Sequence, residues 1–376
     1  MNKSLKNYLL EIIRGNKKGF FPGLIRLKLR FLSYLYGFVV LLRNFMYDKK
    51  ILKSGRVNAK TISIGNITTG GTGKTPAVEA FAEKLNNSGY ETVVISRGYR
   101  GDNEKPLIVS NGNEILAGAK YSGDEAFMLA KKLSDVPVVI CKDRLKAARY
   151  VQSEFQPEII LLDDGFQHRR IIRDYDIVLI DATNPFGYNY LIPRGLLREN
   201  KGSLRRADGF IITRSDQVNP KELEKIKEEL KVYNDSAYIY LSSHSPSHLQ
   251  NINGEKFSLK VLRDKNVIAF SGLGNPEAFE SSLEKEDCNL IKHFIFPDHY
   301  SYTREDFKQI AQEFAGAKID YLITTGKDLV KLDDSIIDFF SNKNISLYSF
   351  EIKMSFNDQT GQTIDILEQI IENIKD

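Results

Sequence analysis

At 376 residues, 42% hydrophobic and 27% charged, the chain can bury a large core and is neither disordered, collagen-like nor a coiled coil. Two distant cysteines, Cys141 and Cys288, form no metal or dithiol motif and read as packing residues of a reducing compartment. Residues 1–60 hold 14 Lys and Arg against Glu11 and Asp48, a local +12, so the rest carries −8 of the total +4 and no nucleic-acid partner is expected.

The basic excess surrounds an apolar run, residues 31–42, bracketed by Arg30 and Arg43. As a helix its 12 residues span about 18 Å at about 1.5 Å each, short of a hydrocarbon core of about 30 Å. No small-x-small cleavage site follows, which argues against a secretory signal. Two readings stay open: a helix lying in the membrane interface, or an amphipathic helix packed on its own domain. The aromatic excess of Phe20, Phe21, Phe31, Tyr34, Tyr36 and Phe38 favours the interface.

Next, residues 60–64 read as a strand and 76–87 as a helix with Ala77, Ala80, Phe81 and Leu85 on one side. Between them stand Thr68, Thr69, Gly70, Gly71, Thr72, Gly73, Lys74 and Thr75. The glycines let the backbone aim N–H groups at an anion, Lys74 can reach outer phosphates, and the Thr75 hydroxyl is placed for Mg²⁺. The helix start adds positive potential. Strict phosphate-loop spacing would put a glycine at Thr68, and Gly70 and Gly71 take over that turn.

A strand at 92–96 precedes a long charged, Gly- and Asn-containing loop to about residue 122. Helices at 125–133 and 145–154 then alternate with strands at 136–140 and 158–162, and further strands follow at 176–180 and 209–213. Such unbroken β-branched runs predict an α/β fold of P-loop NTPase type, a parallel sheet covered by helices on both faces. From residue 219 the pattern restarts: helix 220–232, strand 237–242, a polar stretch at 243–260, and strands at 267–270, 290–294, 321–324 and 346–350 among helices, with a closing helix at 364–374. The expected parts are a basic membrane-associating segment (1–56), a P-loop core (57–218) and a smaller α/β lobe (219–376).

Asp163 and Asp164 end a buried strand, where an aspartate can hold the water shell of Mg²⁺ opposite Thr75. Neighbouring strand residues face opposite ways, so both need not touch the metal. His168 follows at the same edge, either a packed imidazole or a site residue. Asp124 and Glu125 open a helix, and on spacing alone Asp124 is a cap rather than a base for an alcohol. Arg97, Arg100, Lys142, Arg144, Arg194 and Arg198 recur in loops after strands, which suggests a pocket for an anion. The 296–300 loop, with Pro297, Asp298 and His299 between aromatics, by itself reads as a turn. Thr213-Arg214-Ser215-Asp216 is faintly like a base-reading loop, so a cytosolic P-loop GTPase or metal-delivery protein stays open as an alternative. A peripheral membrane protein whose nucleotide site only switches binding is another.

Taken together, the motifs resemble the tetraacyldisaccharide 4′-kinases, the lipid A 4′-kinases of Gram-negative envelope synthesis. The resemblance covers nearly the whole length: the basic-aromatic N-terminus, I-G-N-x-x-x-G-G-T-G-K-T-P at 64–76, S-R-G-Y at 96–99, G-D-E at 123–125, L-D-D-G-F-Q-H at 162–168, P-R-G-x-L-R-E at 193–199 and F-P-D-H-Y at 296–300. That family has a threonine-type residue where Thr68 stands. The resemblance implies a kinase that uses ATP and Mg²⁺ to phosphorylate the 4′-hydroxyl of a tetra-acylated glucosamine disaccharide 1-phosphate, forming lipid IVA. It implies a peripheral protein at the cytoplasmic face of the inner membrane, and a monomer is the expected state. Residues 68–75 would hold the nucleotide, with Lys74 on its phosphates and Thr75, Asp163 and Asp164 at the metal. Asp124 would be the base, supported by His299, and closure of the lobes would complete the site. Glu125, Arg97, Arg144 and His168 would line the active site, with Arg194 and Arg198 contacting substrate phosphate.

Overall fold

Unbroken apolar runs in the strands make a sheet that must be covered on both faces. The computed structural model describes residues 3–98, 104–297, 300–316, 318–358 and 366–375. The chain first forms α1 (Lys3–Arg14), α2 (Phe20–Asp48), β1 (Lys60–Asn66), α3 (Lys74–Asn87), β2 (Thr92–Ser96), β3 (Leu107–Ser110), α4 (Ala119–Ser122) and α5 (Asp124–Lys132). Next come β4 (Val138–Ile140), α6 (Arg144–Glu154), β5 (Ile159–Asp163), β6 (Tyr175–Asp181) and β7 (Gly209–Thr213). Strands β4, β2, β5, β1, β6 and β7 lie parallel in that spatial order. On one face α3 and α5 cover Ile62, Ile64, Leu161 and Ile177; on the other α6 covers Val93, Ile95, Ile160 and Leu162. The expected P-loop-type parallel sheet is present. The stretch read as one long loop contains the antiparallel edge strand β3 and the short α4.

The remainder forms α7 (Pro220–Tyr233), β8 (Tyr238–Asn251), β9 (Lys256–Phe257), β10 (Asn266–Ser271), α8 (Pro276–Glu284), β11 (Asn289–Ile295) and α9 (Arg304–Gly316). It ends with β12 (Tyr321–Thr325), α10 (Gly326–Leu329), α11 (Asp334–Ser341), β13 (Leu347–Asn357) and α12 (Ile366–Lys375). β11, β10, β12 and β13 form a second parallel block, which joins the first where β13 runs antiparallel to β8. Where a polar stretch was expected after residue 242, β8 instead continues to Asn251. Its serines and Pro246 hide the strand in the sequence. The ladder slips register between Glu351 and Ile352, opposite His248 and Pro246, which accommodates a residue without an N–H. Ile370 of α12 returns to the cluster formed by Ala77, Phe81 and Leu85 of α3.

α2 is 29 residues long, far beyond the 12-residue apolar run, and rises about 43 Å. Its inward side is small and polar. Ser33 Oγ donates to the Leu191 carbonyl (2.7 Å), Tyr36 Oη to the Arg198 carbonyl (2.8 Å), and Asn44 Nδ2 to the fully buried Glu199 (2.8 Å). A Cβ on Gly37 would stand 2.7 Å from Leu191 Cδ1, so the helix backbone approaches that loop closely. Its outward side exposes Phe20, Phe21, Leu27, Phe31, Tyr34, Phe38 and Phe45. Apolar surface thus faces away from the core. Among the described residues no helix is long and apolar enough to cross a membrane.

Candidate active site

The phosphate loop joins β1 to α3. Gly70 (φ 122°) and Gly73 (φ 86°) occupy the positive-φ region that favours glycine, and Gly73 immediately precedes α3. The loop's carbonyls and side chains are held from outside. Asn66 Nδ2 donates to Thr72 Oγ1 (2.7 Å), Thr213 Oγ1 to the Thr72 carbonyl (3.1 Å), and Arg214 Nη2 to the Gly71 carbonyl (2.8 Å). Arg214 is itself ion-paired with Asp181. Residues 196–198 brace the loop's start: Thr69 N–H donates to the Leu196 carbonyl, and Arg198 N–H to the Ile67 carbonyl, both at 2.7 Å. Fixing the carbonyls this way leaves N–H groups available to an anion.

At the end of β5 the backbone turns through Asp164 at φ 54°, so the two aspartates diverge. Asp163 is buried and accepts the Ser96 hydroxyl at 2.7 Å. Asp164 meets Arg198 Nη1 at 2.8 Å and Lys74 Nζ at 3.6 Å. Burial and the adjacent Asp164 charge push Asp163 up to about 6, and Glu125 adds to the rise. For Asp164 burial opposes ionisation, but Lys74 and Arg198 outweigh it and hold the carboxyl below its usual range. A Cβ on Gly65 would lie 2.6 Å from Phe166 Cβ, so this glycine lets the segment after Asp164 fold across β1.

Arg144, 2% exposed, donates to the carbonyls of Cys141 (2.6 Å) and Asp163 (3.2 Å), bracing the ends of β4 and β5. Burial lowers its guanidinium to about 10 against the pull of Asp163 and Asp164, so it stays cationic near neutrality. Burial and Arg144 drive His168 down to about 3, which makes it a neutral imidazole. Arg97 is exposed, and its charge acts on both Arg144 and His168. Asp124 and Glu125 are half-buried at the start of α5, close enough that Glu125 affects Asp163.

Lys74, Asp163, Asp164, Arg144, His168, Arg198, Arg97 and Glu125 are therefore gathered at one carboxyl edge of the sheet. Arg194 is not drawn into that group. Its Nη1 donates to the Ile13 carbonyl (3.0 Å), and its guanidinium lies 4.6 Å from the Tyr190 ring centre, beside α1 and α2. Arg100, Asp298 and His299 lie outside the described residues. Sequence reasoning missed Asn66, Ser96 and Arg214 as site supports, and Glu199 as the anchor of α2. Ser96 and Glu199 stand directly beside the assigned Arg97 and Arg198, and that adjacency was the usable signal; Asn66 lies two residues before the assigned loop, and Arg214 in the segment read as faintly like a base-reading loop.

A strand, a glycine loop, a helix start and a carboxylate corner on the neighbouring strand define a P-loop nucleotide-binding enzyme. The family model for tetraacyldisaccharide-1-P 4′-kinase matches residues 25–372, and the chain belongs to that family. It is 39% identical to the tetraacyldisaccharide 4′-kinase of Halothermothrix orenii, covering 98% of each chain. With the enzyme of that name from Elusimicrobium minutum it is also 39% identical, over 92% of this chain and 91% of the other. Among solved structures, LpxK from Aquifex aeolicus in complex with ATP superposes with a TM-score of 0.75 at 30% identity, covering 93% of this chain and 99% of that one.

Proposed function

We propose that the protein is an ATP-dependent kinase that transfers the γ-phosphate to the 4′-hydroxyl of a tetraacylated glucosamine disaccharide 1-phosphate, forming lipid IVA. Family membership supports the acceptor, and the ATP-bound relative supports the donor. The observation that carries the chemistry is Lys74 standing 3.6 Å from Asp164 at the mouth of the glycine loop. We assign residues 68–75 to the triphosphate, Lys74 to the charge that develops on its outer oxygens, and Asp124 to the acceptor's proton.

Phosphoryl transfer depends chiefly on alignment and charge neutralisation, so preorganised N–H groups and cations supply most of the stabilisation. The Asp124 carboxylate takes the hydroxyl proton as the alcohol oxygen bonds to the γ-phosphorus and the γ-phosphorus–oxygen bond to the β-phosphate breaks, so that ADP leaves with that electron pair; Asp124 later releases the proton to solvent. Arg144 stays charged beside the corner, whereas neutral His168 offers only hydrogen bonds and a wall. His299 enters as the partner that the resemblance assigns to Asp124. Arg198, ion-paired with Asp164, orients that carboxylate.

The donor set fits Mg²⁺. Thr75, Asp163 and Asp164 offer hard oxygen ligands, and Asp163 is buried directly beside the Asp164 carboxylate at the end of β5. Bound there, the ion would shield the β- and γ-phosphate oxygens. The outward apolar stripe of α2, with its basic neighbours, supports a monotopic seat on a membrane surface, and the resemblance assigns that surface to the cytoplasmic face of the inner membrane. The division proposed is segment 1–56, P-loop core 57–218 and lobe 219–376; β8 continues the first block parallel to β7, and strand direction reverses only between β8 and β13, inside residues 219–376.

The test is incubation with γ-labelled ATP and detergent-dispersed monophosphorylated disaccharide. Label should pass to the 4′ position in the wild type and not in Lys74→Ala. Nucleotide hydrolysis independent of the acceptor, or preference for GTP, would favour the switch or GTPase reading instead.

A further inference from the structure

Away from the phosphates, three charges from three elements meet, Glu351 buried and Lys132 and Glu79 half-buried. Lys132, the last residue of α5, places Nζ 2.8 Å from Glu351 Oε2 of β13 and 3.2 Å from Glu79 Oε2 of α3. Glu351 is 7% exposed, and its Oε1 accepts the Ser349 hydroxyl at 2.6 Å. It lies at the register slip between β13 and β8. A Cβ on Gly326 would come within 2.6 Å of Glu351 Oε1, so the start of α10, which rests on α5, also closes on this point. One ammonium thus connects the helix that follows the phosphate loop, the helix that begins with Asp124, and the second parallel block.

α5 also packs on β3, β4, α3 and α10, but mostly through small side chains. Its fully buried side chains are Ala126, Leu129 and Ala130, two of them methyl groups, which grip a neighbouring helix weakly. A partly buried ion cluster is poor evidence of net stability, yet it restricts geometry, because any displacement strands a charge without its partner. The helix has nine residues, so a tilt at Lys132 is carried rigidly to Asp124 and Glu125.

We propose that Lys132 is a positioning residue for phosphate transfer: by binding Glu79 and Glu351 together it holds helix α5 so that Asp124 faces the nucleotide held beside Lys74. The inference rests on the reading of Asp124 as the proton acceptor. It adds that the second block acts on the reaction through Glu351.

The test uses the full-length protein with ATP and the detergent-dispersed acceptor. Lys132→Met should lower kcat roughly tenfold to a hundredfold while KM for ATP stays within about twofold, since alignment rather than nucleotide binding is lost. Lys132→Arg should restore most of kcat. Lys132→Met leaves the buried Glu351 and the half-buried Glu79 without their cation and can unfold the chain. The neutral triple variant Glu79→Gln, Lys132→Met, Glu351→Gln removes that hazard and should show the same selective loss of kcat with a thermal midpoint near wild type. Wild-type turnover in the triple variant, or a fall in kcat matched by a fall in folded fraction, overturns the proposal. Asp124→Asn separates the two ideas. If it is inactive while the triple variant turns over normally, only the positioning role fails; if it turns over normally, the base assignment fails and the positioning role with it. Combining the triple change with Asp124→Asn should add no further loss, and a full additional loss would show that Lys132 acts elsewhere.

Discussion

Replacing Glu199 with alanine should detach α2 from the core at a measurable energetic cost. The carboxylate is fully buried and is held by Asn44 at 2.8 Å, Arg206 at 3.0 Å and Arg43 at 3.2 Å. Hydrogen bonds to a charged group are worth about 1.5–3 kcal/mol each, but such bonds do not add, and breaking a buried pair costs about 3–5 kcal/mol in all. Arg43 is 38% exposed and regains water, whereas Arg206 is 15% exposed and left against the Phe166 ring, so a loss of about 3 kcal/mol is expected. Burial disfavours the charged form of Glu199, yet Arg206 and the neighbouring donors outweigh it and lower the pKa. Its stabilisation is therefore present above the ordinary glutamate value of 4.5 and is lost as pH falls through the lower folded value. Urea unfolding in detergent at about pH 7 and again at about pH 3.5 reads both effects, the second as a narrowing gap between variant and wild type. A loss below about 1 kcal/mol, or a gap independent of pH, would refute the reasoning.

Asp163→Asn should stabilise the protein while lowering turnover. Raising this carboxyl from 3.8 to about 6 means that ionising it in the fold costs about 3 kcal/mol, fully present above about 6 and absent below 3.8. A variant less stable than wild type at about pH 7 in thermal unfolding would contradict this. Arg214→Met frees the Gly71 carbonyl and should raise KM for ATP about tenfold with little change in kcat, measured by steady-state kinetics; unchanged KM would count against the brace. Phe31→Ser with Phe38→Ser removes two exposed rings, 63% and 65% accessible, from the outward stripe. Co-sedimentation with anionic vesicles should fall by about tenfold or more, and unchanged binding would count against the membrane seat.

Much of the core was legible because its strands are unbroken apolar runs and its phosphate loop is punctuated by glycine. The strand at Gly209–Thr213 was placed to the residue. The divergence of Asp163 and Asp164 also followed from strand geometry, although the positive φ that sharpens it did not. What escaped was mostly tertiary. β8 is disguised by Ser243, Ser245, Pro246 and Ser247, and only its pairing with β13 reveals it. The full length of α2 was hidden because Arg30 and Arg43 bracket its apolar run, whereas Ser33 and Gly37 within that run and Asn44 just beyond it dock the helix. Arg194 was grouped with Arg198 by motif, yet it turns toward α1 because the loop between them reverses against the phosphate loop. No local pattern could join Lys132 to Glu351, 219 positions apart in the sequence.

The central claim is that a phosphate gripped at the glycine loop passes to an alcohol whose proton Asp124 accepts. Single-turnover transfer from prebound ATP to saturating acceptor, compared between wild type and Asp124→Asn, tests it most directly. We expect transfer to slow by about a hundredfold or more while ATP affinity is preserved. A rate within about threefold of wild type, at equal ATP occupancy, would contradict it.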